Sequence, residues 1–237
     1  MDETAANGSL TALQRASSGR LRTGVSITSP RTWKSLAGAD DGPGLALAVV
    51  LIVAFVLEML HGGPWAWGLS AQALAEGRWH TLASHMVAHG GLGHIVMNLS
   101  ALLTLSPIVV GRLGSGLDGW FRYAALMAFA GLLGAAAYLA LHLQGNIPLV
   151  GASGAICGLW GLAARIESGG GFAPLLSRQV GRKVWAFTKV NVVLVGLFFL
   201  VTWGHGGLAW EAHLGGFMFG LLVGPMWAPP LAAVREH

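Results

Sequence analysis

The sequence predicts an all-α, polytopic membrane protein built as a bundle of six transmembrane helices. Three observations predict this class: the composition, six long apolar runs and a one-sided distribution of basic residues. Of the 237 residues, 54% are hydrophobic, 10% are charged and 36 are glycine, and the mean hydropathy is +0.63. An ordinary soluble domain carries about 25% charged residues. The composition therefore excludes both a soluble and a disordered chain, because too little charged surface is left to face water.

The apolar runs define the predicted membrane domain, since a spanning helix needs about 17–25 mostly apolar residues. They cover residues 44–61, 93–111, 120–141, 150–166, 185–203 and 209–227. We therefore expect a membrane domain over 44–227, preceded by a mobile extension over 1–43 and followed by a short tail over 228–237.

The basic residues predict the orientation. Of the 14 lysines and arginines, 13 precede the first run, follow the last, or lie at the ends of the runs that share that side, and Arg78 alone falls on the other side. Under the positive-inside rule both termini are then cytoplasmic. The same rule explains the net charge of +4 without a nucleic-acid partner, and we expect none.

The cysteine and histidine content limits metal and disulfide chemistry. Cys157 is the single cysteine, so neither an intramolecular disulfide nor a cysteine-based zinc site can form. His85 and His89 have the i, i+4 spacing of a metal pair, but no carboxylate or thiol that could complete a site adjoins them in the sequence. We therefore predict no metal.

Four polar residues inside the apolar runs indicate a functional site, because such groups are costly in a membrane. They are His94, Asn98, Ser153 and His213. The second, fourth and sixth runs all cross from outside to inside, and each of the four residues lies near the start of its run. The topology therefore predicts that the four share one depth, close to the outer face.

The local spacing adds detail. His94 and Asn98 are four residues apart and project from one helix face. Ser153 lies in Gly151-Ala152-Ser153-Gly154, a small-residue turn entering a helix whose N–H groups favour an anion. Small residues four apart in the fourth and sixth runs, Gly154/Gly158 and Gly216/Gly220, allow close helix approach. Ser153 and His213 are thus expected within hydrogen-bond reach.

Taken singly, each feature has an ordinary structural explanation. A serine at a glycine-rich helix start is commonly a cap, a lone histidine in a membrane is commonly a packing residue, and a GxxxG step commonly means helix contact alone. The shared depth of the four polar residues favours a joint catalytic interpretation.

These motifs resemble the rhomboid family of intramembrane serine proteases. The resemblance covers about 44–227 and is carried by His85-x3-His89-x4-His94-x3-Asn98, by Gly151-Ala152-Ser153-Gly154, and by Ala212-His213-x-Gly215-Gly216-x3-Gly220. The turn Arg112-Leu113-Gly114-Ser115 is also similar to rhomboids.

The resemblance implies a Ser153–His213 dyad without a third acid, and an oxyanion stabilised by His94, Asn98 and the Ser153 N–H. The residues that would support this site are Gly151, Gly154, His89, Cys157, Gly216 and Gly220. The resemblance also implies that the substrates are transmembrane proteins, cleaved near the outer face of a bacterial inner membrane. It further implies that no cofactor is used and that the fifth span acts as a mobile gate.

Two positions depart from the family pattern. A Trp-Arg pair common in the first loop is replaced by His80 and Thr81, with Arg78 and Trp79 upstream, and Cys157 stands where an aromatic residue often supports the catalytic histidine. The alternative function is a catalytically silent relative that binds client transmembrane helices. A histidine-rich metal or haem protein is a third hypothesis. The sequence does not predict the oligomeric state.

Overall fold

The computed structural model describes residues 41–114, 116–201, 203 and 207–230, and these fold as helices joined by loops. Within them, strand-like pairing is confined to two isolated bridges, Leu69 with Leu149 and Ile166 with Phe172. All of these residues belong to the unit Trp33–His237. Most of the predicted extension and tail, residues 1–40 and 231–237, lies outside the described residues.

Ten helices follow one another in this part of the chain. They are α1 (Gly42–Leu60), α2 (Gly63–Trp67), α3 (Ala71–Ala75), α4 (Thr81–Ser84), α5 (Leu92–Leu113), α6 (Gly116–Leu141), α7 (Ser153–Arg165), α8 (Arg178–Val201), α9 (Trp210–Leu222) and α10 (Gly224–Trp227).

The long helices confirm the predicted all-α, polytopic membrane fold. Within the described ranges, α1, α5, α6 and α8 are long and apolar enough to cross a membrane. Helices α7 and α9 have 13 residues each and extend over about 20 Å, less than the roughly 30 Å of a hydrocarbon core. The count of six spans therefore stays a prediction.

Helix α7 forms the centre of the bundle. It contacts α5, α6, α8 and α9, and nine of its residues are buried. Helix α9 packs against it backbone to backbone: a Cβ atom at Gly216 would collide with the carbonyl oxygen of Gly154, and one at Gly220 with that of Gly158. Of the helices that correspond to the predicted spans, the two shortest are thus the most closely packed.

Two guanidinium groups, buried at Arg112 and half-buried at Arg165, tie the bundle together at the end opposite Ser153. Arg112, in the last turn of α5, donates hydrogen bonds to the carbonyl oxygens of Gly170 (2.7 Å) and Pro229 (2.8 Å). Arg165, at the end of α7, donates to those of Ala173 (2.7 Å) and Leu221 (3.1 Å). Charge-assisted bonds of this kind are about twice as strong as neutral ones.

Helix α8 packs loosely by comparison. Val180 and Phe187 are its buried residues among Arg178–Val201. The Phe187 ring stacks on Phe217 of α9 at 3.9 Å between centroids and meets Trp160 of α7 edge-on at 5.5 Å. These aromatic contacts hold the first half of α8, up to Phe187, against the core. The rest of the helix is largely uncovered.

Candidate active site

Ser153 is the first residue of α7, and the turn before it is closely fitted. Gly151 has a φ angle of +119°, which side-chain-bearing residues rarely adopt. A Cβ atom at this position would lie 2.8 Å from Cε1 and Nε2 of His94. The Gly151 N–H donates to the carbonyl oxygen of His85 at 2.8 Å. Glycine is therefore required here on both conformational and steric grounds.

His213 of α9 is buried and faces this serine. Its Nε2 lies 2.8 Å from Ser153 Oγ, which is hydrogen-bond distance. The other ring nitrogen, Nδ1, lies 2.7 Å from the side-chain oxygen of Asn191 on α8. An amide oxygen only accepts, so Nδ1 carries the proton and Nε2 is free to accept from the hydroxyl. The arrangement is that of a nucleophile with an adjacent neutral base.

His94 and Asn98 lie beside this pair on α5. The Gly90 N–H donates to His94 Nδ1 at 3.3 Å, which leaves the proton on Nε2, on the side of the ring that faces Gly151. The Asn98 amide nitrogen donates to the His94 carbonyl at 3.0 Å, and its oxygen has no hydrogen-bond partner among the described residues. The structure thus brings all four predicted polar residues to one place.

The backbone N–H groups at the start of α7 add further hydrogen-bond donors to the candidate site. The first N–H groups of an α-helix have no intrahelical acceptor, and the positive end of the helix dipole adds to their field. Because α7 begins at Ser153, the free N–H groups of its first turn lie at the same end of the helix as the Ser153 side chain. A developing negative oxygen next to Ser153 Oγ would meet both them and the His94 Nε2–H.

The predicted supporting residues lie around the pair. A Cβ atom at Gly154 would lie 3.2 Å from the Ala212 carbonyl oxygen, so α9 is close at the residue before His213. Cys157 is a buried free thiol one turn after Ser153, and it packs in a cluster that includes Phe187 and Phe217.

The histidines of the first loop are buried structural groups. His85 Nδ1 donates to the Thr81 carbonyl at 2.9 Å, and burial lowers the pKa of His85. The His89 N–H donates to the Glu58 carboxylate at 2.7 Å. Burial, aided by the neighbouring His94, lowers the pKa of His89 to about 4. No group of three or more metal-ligating side chains occurs in the described ranges.

Arg78 and Trp79 have different surroundings. Arg78 forms an ion pair with Glu76 at 2.9 Å and donates to the Trp65 carbonyl at 3.1 Å, so it closes the first loop on itself. The Trp79 ring is exposed.

Two cavities meet at Ser153 and His213. The first, of about 570 Å³, is lined by polar groups such as Tyr138, His142 and Glu211. The second, of about 560 Å³, is an apolar groove between α5 and α8, lined by residues such as Met97, Leu105 and Leu194. The Ser153 hydroxyl therefore lies where the first cavity, called the polar cavity for its three named side chains, meets the apolar groove.

Two polar residues of the site were missed by the sequence analysis. Asn191 contacts His213 directly, and Glu211 is a buried carboxylate 4.0 Å from His142 in the polar cavity. The signal for both was available, because an amide or a carboxylate within an apolar run is itself a candidate functional group.

Comparison with known proteins shows the family of this chain. The Rhomboid domain family model matches residues 76–230. The chain belongs to the rhomboid family. This rhomboid is also 26% identical over 195 residues to the Rhomboid protease GluP of Bacillus subtilis (strain 168), an alignment that covers 79% of this chain and 35% of that protein. The chain thus spans about a third of the length of the curated relative that it matches.

Proposed function

We propose that this rhomboid is an intramembrane serine endopeptidase. The observation that carries the proposal is the 2.8 Å contact between His213 Nε2 and Ser153 Oγ. The similarity to a rhomboid protease supports it. The substrates are transmembrane proteins, and the protein is an integral membrane protein of the bacterial inner membrane with both termini cytoplasmic.

In the first half of the reaction, Ser153 Oγ attacks the scissile carbonyl carbon while His213 Nε2 takes the hydroxyl proton. The carbonyl π electrons move to oxygen, and the resulting oxyanion is stabilised by His94, Asn98 and the Ser153 N–H. The C–N bond then breaks as the imidazolium returns its proton to the leaving amine.

In the second half, water attacks the acyl ester with His213 again as base, and Ser153 is released. The polar cavity lined by Tyr138, His142 and Glu211 is the source of this water. The apolar groove between α5 and α8 receives the substrate helix from the bilayer, and α8, with little of its surface buried, serves as the gate.

The lengths of α7 and α9 support cleavage near the outer membrane face. A 13-residue helix covers about 20 Å of a roughly 30 Å core. If α7 ends at the cytoplasmic interface at Arg165, Ser153 lies roughly 10 Å below the outer one.

The test is labelling of the purified chain in detergent with a fluorophosphonate probe that phosphonylates activated serines. Wild type should be labelled and Ser153→Ala should not. Ser177→Ala is the matched control, because the Ser177 hydroxyl accepts from the Val180 N–H at the opposite end of the bundle, and it should label as wild type does. A folded wild-type protein that resists the probe, and that binds transmembrane helices without cleaving them, would instead be a silent member of the family.

A further inference from the structure

The His213 ring contacts Ser153 through one nitrogen and a second residue, Asn191, through the other. The proposed dyad gives this second residue no role. Asn191 of α8 places its side-chain oxygen 2.7 Å from His213 Nδ1. Its amide nitrogen donates to the Phe187 carbonyl, one turn earlier on the same helix, at 3.0 Å. This second bond fixes the orientation of the amide, because it turns the oxygen rather than the nitrogen toward the imidazole.

The contact selects the tautomer that the reaction requires. A base that accepts from Ser153 Oγ through Nε2 must carry its proton on Nδ1, and a fixed acceptor at Nδ1 favours that form over the other. The same acceptor stabilises the imidazolium that forms when the hydroxyl proton arrives. A neutral amide does so without the cost of burying a carboxylate in an apolar region.

We propose that Asn191 is the positioning residue of His213, supplied by the helix that gates the site. This inference rests on the proposed function. Asn191 lines the apolar groove, but it contacts the imidazole at Nδ1 rather than at the reacting Nε2, and it acts through the ring that it orients and holds in one tautomer. The apparent dyad is then a triad whose third member is neutral and belongs to a different helix from the other two.

The placement of Asn191 on α8 couples the gate to the chemistry. After Phe187, the α8 side chains are half-buried or exposed, so few contacts fix this part of the helix. The position of the Asn191 amide therefore follows the position of the helix itself. A hydrogen bond weakens beyond about 3.2 Å. Outward movement of α8, which widens the groove for an incoming substrate, removes the acceptor, and return of α8 restores it. His213 is thus in its reactive tautomer when the gate is closed.

Two near-isosteric variants separate this role from packing. Asn191→Leu keeps the branched shape and the number of heavy atoms and removes the acceptor, whereas Asn191→Asp keeps an acceptor and adds a charge. If Asn191 only fills space, leucine is the better substitute in an apolar bundle. If Asn191 orients His213, aspartate is the better substitute, because it keeps an acceptor for Nδ1. Thr188→Val is the matched control, because the Thr188 hydroxyl bonds only within α8, to the Val184 carbonyl.

The experiment measures the second-order rate of fluorophosphonate labelling of each purified full-length variant as a function of pH. Loss of one hydrogen bond to a charged group predicts a fall of about 10- to 100-fold for Asn191→Leu. Asn191→Asp should stay within about tenfold of wild type, with the acid limb of its profile at higher pH. His94 and Glu211, which line the same cavity as His213, are present in every variant. A shift of the pH profile between variants therefore results from the substitution at position 191.

The outcomes distinguish this inference from the function on which it rests. Wild-type protein that fails to label contradicts the protease proposal itself. Labelled wild type together with a folded Asn191→Leu at the wild-type rate, or with Asn191→Leu faster than Asn191→Asp, contradicts the positioning role alone. If Asn191→Leu does not fold, an Asn191→Asp profile that superimposes on the wild-type profile contradicts it equally.

Discussion

Gly216 of α9 lies directly against the backbone carbonyl of Gly154 of α7, with no room for a methyl group between them. Gly154 follows Ser153, and Gly216 is three residues after His213, so this contact fixes the spacing of the two helices next to the reacting pair. The spacing of the two backbones that carry Ser153 and His213 is thus set by atoms that do not change rotamer.

We expect that Gly216→Ala lowers proteolysis of a transmembrane substrate by roughly 100-fold, because a displacement of about 1 Å between catalytic groups has an effect of that size. Gly181→Ala is the matched control, since a Cβ atom there has no neighbour within 4 Å. A Gly216→Ala protein that folds and cleaves at the wild-type rate would show that α7 and α9 are aligned by other contacts.

Ser153→Ala and His213→Ala should each abolish cleavage, and the double variant should be no slower than either single one. Residues that act as a unit are strongly non-additive, and the 2.8 Å contact indicates that these two act together. Cleavage rates of a model transmembrane substrate in proteoliposomes provide the measurement. Substantial turnover by either single variant would contradict the dyad.

His94→Ala should reduce kcat by about 10²–10³-fold with little change in KM, the effect typical of removing one oxyanion donor. The reason is the Gly90 N–H, which occupies His94 Nδ1 and leaves Nε2–H to donate. His61→Ala serves as control, because the exposed His61 ring contacts only the Leu57 carbonyl of its own helix. A rise in KM alone would assign His94 to substrate binding instead.

Cys157→Ala should keep measurable activity and full labelling of Ser153, while the free energy of unfolding falls by about 1 kcal/mol from the small cavity. The thiol is buried in the cluster with Phe187 and Phe217, away from the N–H groups at the helix start. Steric trapping or a denaturant titration measures the stability loss. Inactivation of wild type, but not of this variant, by a small maleimide would show that Cys157 is reachable from the active-site water.

Acidification should destabilise the fold through His89. Its pKa is about 4 in the folded protein against about 6.5 when unfolded, so both states are neutral above pH 6.5. Between these values the unfolded chain binds the proton and the folded one does not. Stability is therefore lost as the pH falls, by up to about 1.4 kcal/mol per pH unit.

His89→Asn, which removes the titrating ring, should flatten this slope. Unfolding free energies measured in mixed micelles between pH 7 and 5 provide the test, with His61→Asn as the control that keeps the wild-type slope. Equal slopes for wild type and His89→Asn would mean that protonation at this position does not differ between the folded and unfolded chain.

Much of the site could be predicted from the sequence because its depth follows from topology alone. Runs crossing in one direction put Ser153 and His213 at the same level, and the structure places them in contact. The partner of Asn191 could not be predicted in this way. It lies 22 residues away on another helix, and the direction in which an amide points depends on how α8 rotates against its neighbours.

The lengths of the central helices were also not predictable from hydropathy. The fourth run was expected over 150–166, and its helix covers Ser153–Arg165. Apolar residues continue beyond the helix start because the turn containing Gly151 is itself packed inside the bundle. Hydropathy detects burial and does not distinguish a buried turn from a buried helix.

The hydrogen bonds of the Arg112 and Arg165 guanidinium groups make one end of the bundle a fixed base, and α8 extends from that base as a rigid rod. Helix α8 starts at Arg178, next to Gln179, whose side-chain N–H donates a hydrogen bond to the Ile166 carbonyl. Asn191 lies about 20 Å along the helix from this start. A tilt of about 5° at the base carries the amide by about 2 Å, enough to break its bond to His213, while the Phe187 ring slides on Phe217 by about 1 Å. A small angular fluctuation, with no unfolding, is thus sufficient to switch the imidazole between its anchored and free states.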